Sequence, residues 1–181
     1  FLKWEKAACP GVSINKNPGI SNFIPFLSII GQAYLNLSEG KNENELRFLF
    51  NDKDVIYVQG GNTFYLLKHV RASGFDKVVK ELVEKGIIYI GVSAGSYIAC
   101  PTIEMAGWKH SDKNTFGLTD LTGLNLVPFL LSVHFKPEYV SVLKREIATT
   151  KYPVKILTDK QAFLVRDNDI KLVGQGGEIT I

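Results

Sequence analysis

The segment Ile87-Ile88-Tyr89-Ile90-Gly91-Val92-Ser93-Ala94-Gly95-Ser96-Tyr97-Ile98-Ala99 runs from a β-branched apolar stretch, through G-x-S-x-G, into a run of small residues. This is the order of a nucleophile elbow. A strand ends, the backbone turns sharply, and a helix opens with a serine oxygen held above the sheet edge. Glycines on both sides give the backbone room for a strained turn. The five-residue pattern alone arises by chance in roughly one chain of this length in fifteen to twenty. The strand before it and the helix after it are what a chance match lacks. Ser93 is therefore the candidate nucleophile.

Outward from the elbow, the chain alternates strands and helices. Asp54 to Val58 is a short β-rich run ending at Gly60-Gly61, and Asn62-Thr63 caps a helix that Gly74 stops after Ser73. Phe75, Val78, Val79, Leu82 and Val83 recur at helical spacing, and Gly86 closes that helix before a strand over Ile87 to Val92. Leu124 to Val133 reads as a further apolar strand, and Pro137 opens a helix with Val140, Leu143 and Ile147 on one face. Lys155 to Thr158, Ala162 to Val165, Ile170 to Val173 and Ile179 to Ile181 read as short strands. This order predicts an α/β fold, with a mainly parallel sheet, helices on both faces and a C-terminal β-meander. In such sheets the site lies beyond the C-terminal ends of the strands.

The chain of 181 residues suits a single α/β domain spanning 1–181. Hydrophobic residues make up 45% and charged residues 22%, which is ordinary globular usage. The 21 basic and 18 acidic residues are mixed without a block of like charge, so nucleic acid is not an expected partner. No apolar run approaches a membrane span of ~18 residues. Two cysteines make no disulfide framework, which points to the cytoplasm. The chain begins at Phe1 with no basic-then-apolar signal segment, and a lost leader stays open. No metal or cofactor is expected. The cysteines lack zinc-site spacing, and Gly60-Gly61 lacks the G-K-[ST] of a P-loop.

A serine becomes nucleophilic when a base takes its proton and a third group orients that base. His69 falls inside a predicted helix beside Lys68 and reads as a surface residue, while His110 lies in a polar loop and is the reserve. His134 ends the run Phe129-Leu130-Leu131-Ser132-Val133 and should emerge at the strand's C-terminal edge, as a base would. Glu104, just past Pro101, is the expected acid, with Asp112 and Asp120 as alternatives. An oxyanion hole needs two backbone N–H groups. Ala94 supplies one and the Gly60-Gly61-Asn62 turn supplies the other; Gly60, Asn62 and Thr63 are the expected substrate contacts.

Val58-Gln59-Gly60-Gly61-Asn62-Thr63-Phe64, Tyr89 to Gly95, Cys100-Pro101-Thr102-Ile103-Glu104, Leu124-Asn125-Leu126-Val127-Pro128 and His134-Phe135, taken together and in order, resemble peptidase E and its S51 serine peptidase relatives. The resemblance runs from about Leu35 to the C-terminus. It implies a three-layer fold similar to class I glutamine amidotransferases. It also implies a hydrolase acting on small peptides, as aspartyl dipeptidases and the more distant cyanophycinases do. By position it assigns Ser93 as nucleophile, His134 as base, Gly61 and Ala94 as oxyanion-hole amides, and Glu104 as the acid of members that use glutamate. Members that use an aspartate place it where this chain has Trp108. Val133 stands where many members have proline, and Gln59 replaces a first glycine. The arginine-bearing segment of the dipeptidases is not recognisable, which leaves Lys136, Lys144 and Arg145 as candidates for substrate recognition.

The expected protein is thus a metal-free serine peptidase acting on small peptides, with aspartyl dipeptides as the substrates the resemblance suggests, monomeric or homodimeric, with a small peptide as its partner. The alternative is a catalytically degenerate relative that keeps the fold to bind a ligand or partner. The N-terminal residues 1–34 read as irregular or incomplete. Phe23-Ile24-Pro25 resembles the family's second strand, and Leu35-Asn36-Leu37-Ser38 resembles the strand end after the next helix. The residues between are fewer than the ~10–12 that a βαβ crossover needs. A break between Pro25 and Leu35 is the expectation.

Overall fold

The computed structural model describes residues 35–109 and 112–181. The chain divides into two compact units, Phe1–Asn36 and Leu37–Ile181, and the second holds the elements that follow. The expected break between Pro25 and Leu35 and the strand at Phe23-Ile24-Pro25 lie outside the described residues, as does His110. At Leu37–Glu39 the chain forms a 3-10 turn rather than the strand end expected there.

Helix α1 (Glu43–Phe50) opens with a capping box: the Asn42 side chain accepts from the backbone of Asn44 and Glu45, and Glu45 reaches back to the Asn42 N–H. Strand β1 (Val55–Val58) leads through Gly60-Gly61 to α2 (Thr63–Ser73). The Asn62 side chain accepts from the Tyr65 N–H, and Gly74 ends α2 at φ 72°, a left-handed turn that glycine adopts without strain. Helix α3 (Phe75–Glu84) follows directly and buries Phe75, Val78, Val79 and Leu82. Arg47 bridges to Glu81 at 2.8 Å and Lys77 to Glu43 at 2.7 Å, which joins α1 to α3 at the surface.

Strand β2 (Ile88–Gly91) pairs in parallel with β1, Val55 opposite Ile88 and Val58 opposite Gly91. It runs straight into α4 (Ala94–Ala99), whose Ala94, Tyr97, Ile98 and Ala99 are buried. Among the described residues, Ile88 and Ile90 of β2 are exposed. A 3-10 turn over Glu104–Gly107 buries Met105 and Ala106.

The strand expected over Leu124 to Val133 is shorter than its apolar content suggested, with β3 formed by Leu130–Ser132 alone. The residues before it do other work. Leu124, Asn125 and Leu126 donate their N–H groups to the carbonyls of Ile98, Cys100 and Ala99, so they satisfy the open end of α4 instead of pairing with a strand. Asn125 at φ 53° and Pro128 also break an extended run.

β3 pairs in parallel with β4 (Val154–Ile156), Ser132 opposite Ile156. Between them, a 3-10 turn over Pro137–Tyr139 opens α5 (Val140–Ile147). β5 (Gln161–Arg166) and β6 (Asp169–Gly174) form an antiparallel hairpin. Ile179 to Ile181 forms no strand, so the expected meander ends as this hairpin. The whole is a mixed α/β unit with parallel strand pairs.

Candidate active site

Ser93 sits at φ 54°, ψ −114°, between the end of β2 and the first residue of α4. This conformation is strained for a residue with a side chain, at an order of 1–3 kcal/mol, and it persists where the surroundings force it. Both flanking glycines are required by close packing. A Cβ on Gly91 would stand 2.5 Å from the Gly95 oxygen, and one on Gly95 would stand 2.1 Å from the Val58 oxygen. The elbow is pinned from outside as well: the Tyr89 hydroxyl donates to the Gly95 carbonyl at 2.7 Å, and Ser96 Oγ to the Gly91 carbonyl at 2.8 Å. Burial pushes the Tyr89 phenol up, so it stays a protonated donor.

His134 Nε2 lies 2.9 Å from Ser93 Oγ, and His134 Nδ1 is hydrogen-bonded to the Asp159 carboxylate. The parallel pairing of β3 with β4 makes this geometry. Leu157 N–H donates to Ser132 O and Phe135 N–H to Leu157 O, so the register continues past Ser132 and Ile156. His134 and Asp159 therefore leave neighbouring strands at one edge. The side chains are 51% and 72% exposed, which leaves the pair open to solvent and to an incoming substrate. His134 has a left-handed backbone at φ 60°.

Glu104, expected to hold the imidazole, is not on it. It opens the 3-10 turn beyond α4 and is anchored there by its backbone N–H on Thr102 Oγ1. Nδ1 of His134 is occupied by Asp159. The other carboxylates considered are also engaged elsewhere. Asp112 accepts from both the N–H and the hydroxyl of Thr63. Asp120 accepts from the Thr122 N–H and pairs with Arg71 at 3.1 Å; Thr122 and Arg71 hold its carboxyl below its usual value. His69 packs its ring against Tyr65 on α2.

The signal for Asp159 was present in the chain. Lys155 to Thr158 reads as a strand, and a carboxylate directly after a parallel strand falls at the edge where sites form. Asp159 is far from the elbow in sequence and becomes a neighbour of His134 through strand pairing.

The Gly60-Gly61 turn faces the serine. A Cβ on Gly60 would lie 3.0 Å from Ser93 Cβ and 3.3 Å from Oγ, and Gly61 adopts φ 138°, which only glycine takes readily. Asn62 and Thr63, expected to contact substrate, make side-chain hydrogen bonds that hold this turn. The Asn62 side chain donates to Lys113 O at 3.1 Å while accepting from Tyr65, and Thr63 is fully buried on Asp112. Cys100 is buried, and burial pushes its thiol up to about 12. Among the described residues no helix is long and apolar enough to cross a membrane.

The family model of peptidase family S51 matches residues 27–173, most of the chain. The chain belongs to peptidase family S51. An uncharacterized peptidase of Listeria innocua is 30% identical over 169 residues, which cover 82% of this chain and 81% of the relative. Peptidase E of Escherichia coli is 39% identical over 85 residues, 45% of this chain and 34% of that protein. Among solved structures, a 1.5 Å crystal structure of a candidate peptidase E of Listeria monocytogenes superposes with a TM-score of 0.67 at 28% identity, covering 78% of this chain and 69% of the other. The resemblance to peptidase E stated from the motifs is thus supported over far more of the chain than the motifs themselves.

Proposed function

We propose that this S51 family member is a serine peptidase acting on small peptides through Ser93, His134 and Asp159. The observation that carries this reading is the chain of contacts from Ser93 Oγ to His134 Nε2 at 2.9 Å, and from His134 Nδ1 to Asp159. Ser93 Oγ attacks the scissile carbonyl carbon and its proton passes to Nε2. The C=O electron pair moves onto oxygen, whose charge the backbone N–H groups of Ala94 and Gly61 stabilise. Ala94 is the first residue of α4, where a helix leaves its N–H groups unused internally. Collapse of the tetrahedral adduct breaks the C–N bond, and the leaving amine takes the proton from Nε2. Water then attacks the acyl carbon, giving its proton to Nε2; the C–Oγ bond breaks, the acid product leaves, and Nε2 returns the proton to Ser93 Oγ. Asp159 fixes the imidazole tautomer and stabilises the imidazolium.

The finer reading is a three-layer scaffold similar to class I glutamine amidotransferases, a cytoplasmic setting, and dipeptides as substrates, with aspartyl dipeptides suggested by the peptidase E relatives. The experiment is labelling with a fluorophosphonate, followed by mapping of the modified peptide. Modification at Ser93, lost in Ser93→Ala and His134→Gln, is the expected result. A folded protein that takes no label would sink the enzymatic reading and favour the degenerate binding module.

A further inference from the structure

Lys109 is a half-buried cation that none of the catalytic steps uses. Its ammonium turns inward and donates to the carbonyl of Val133, and it lies 5.4 Å from the centroid of the Tyr139 ring. A lysine at a surface ordinarily carries its charge out to water along its flexible stem. Here burial pulls its pKa down to about 8, against the opposing pull of the Asp159 and Asp112 carboxylates. An arrangement that costs solvation and still grips one carbonyl calls for a reason at that carbonyl.

The carbonyl belongs to the peptide that leads into His134. That residue has the left-handed backbone, φ 60°, from which its ring reaches both Ser93 and Asp159. The Val133 backbone also lies against the Tyr97 hydroxyl of α4. Tyr139, the other neighbour of the ammonium, is in the turn that follows His134. The cation therefore touches the chain on both sides of the imidazole.

We propose that Lys109 is a positioning residue of the Ser93–His134 pair, its ammonium clamping the Val133 carbonyl so that His134 keeps the backbone from which Nε2 addresses Ser93. The inference deepens the serine-peptidase reading and rests on it. A charge-assisted hydrogen bond is about twice as strong as a neutral one. Deprotonation of Lys109 weakens the clamp, so the site should lose activity on the alkaline side. The groups facing the ammonium are Asp159, Asp112 and the Tyr139 ring, with His134 next to the gripped carbonyl.

The test follows fluorophosphonate modification of Ser93 from about pH 6 to pH 10 in wild type, Lys109→Met and Lys109→Arg, together with crystal structures of wild type and Lys109→Met. In wild type the limiting rate should fall above about pH 8. Lys109→Met should lower that rate about 10- to 100-fold with the half-saturating probe concentration unchanged, since small misplacements of a reacting group carry costs of that size. Lys109→Arg should restore most of the rate and hold its plateau to higher pH, because arginine keeps its proton. In the Lys109→Met crystal, His134 should have left its position 2.9 Å from Ser93 Oγ.

An unchanged limiting rate with a raised half-saturating concentration would make Lys109 a probe-binding cation and overturn the proposal. So would His134 remaining in place in the crystal. If wild type takes no label, the peptidase reading fails on its own, while the pair of crystal structures still decides the clamp.

Discussion

Asp159 reaches Nδ1 of His134 because β4 lies parallel to β3 and both chains continue past their last paired residues, Ser132 and Ile156, in the same direction. The two residues are 25 positions apart, and only strand register brings them together. In the proposed mechanism the orienting carboxylate thus comes from the neighbouring strand, while the serine comes from an elbow after β2.

Asp159→Asn should therefore cost about 10²–10⁴ in kcat, since the amide leaves the imidazole without its compensating charge and with the wrong tautomer favoured. Glu104→Gln, in the 3-10 turn beyond α4, should stay within a few-fold of wild type. Rates on one dipeptide substrate, measured side by side, check both. A large loss in Glu104→Gln with a small one in Asp159→Asn would return the role to Glu104.

What could be read from the chain and what could not divide along the range of the interactions. The boundaries of α2 were legible because Asn62 and Gly74 act on their immediate neighbours. The contact between Ser93 and His134 was legible because each follows a strand-like run, β2 and β3, although these two strands belong to separate parallel pairs. Asp159 required knowing which strand lies beside β3. The strand over Leu124 to Val133 was overextended because apolar residues report burial: Leu124 is fully buried, yet its N–H goes to the carbonyl of Ile98. That the polar atoms of Asn62 and Thr63 also serve the turn was not legible, because their partners lie on a loop some 50 residues away.

The close packing of the elbow gives a second prediction. Gly95→Ala places a methyl where 2.1 Å separates it from the Val58 oxygen, so β1 and α4 must move apart. Overpacking of this kind costs about 1–3 kcal/mol and more where backbone must shift. Urea denaturation should show a clear loss of stability, accompanied by slower labelling of Ser93. Wild-type stability in this variant would mean that β1 does not approach α4 as described.

Acid should weaken the contact between α1 and α3. Lys77 and then Arg47 lower the Glu43 pKa, and Arg47 lowers that of Glu81, both from an ordinary 4.5. A carboxylate whose folded value is depressed binds fewer protons folded than unfolded. Its contribution is therefore present above about 4.5 and is lost as pH falls through the lower folded value. The Tm should drop as pH is taken from about 5 to about 3. Arg47→Met, which removes a partner of both carboxylates, should flatten that drop, and so should high salt, because the groups are at the surface. A slope unchanged by Arg47→Met would exclude this network from the acid response.

The last prediction concerns the turn opposite the nucleophile. Thr63 is fully buried, and its N–H, 2.8 Å from Asp112 Oδ2, and its hydroxyl both depend on that one carboxylate. Asp112→Ala leaves two buried polar groups without their acceptor, at about 1–3 kcal/mol for each unsatisfied group. It also frees the residues that set Gly60 and Gly61 against Ser93. Thr63→Val removes only the hydroxyl and keeps the shape, so its cost should be the smaller. The expected order of stability in urea is wild type, Thr63→Val, Asp112→Ala. The labelling rate at Ser93 should fall most in Asp112→Ala, because the Gly60-Gly61 turn, which the proposed mechanism gives to the oxyanion, loses its anchor while the Ser93–His134 contact remains. If Asp112→Ala lowered stability but labelled Ser93 at the wild-type rate, the turn would be shown to hold its place without that carboxylate, and Gly61 would lose its support as the second oxyanion donor.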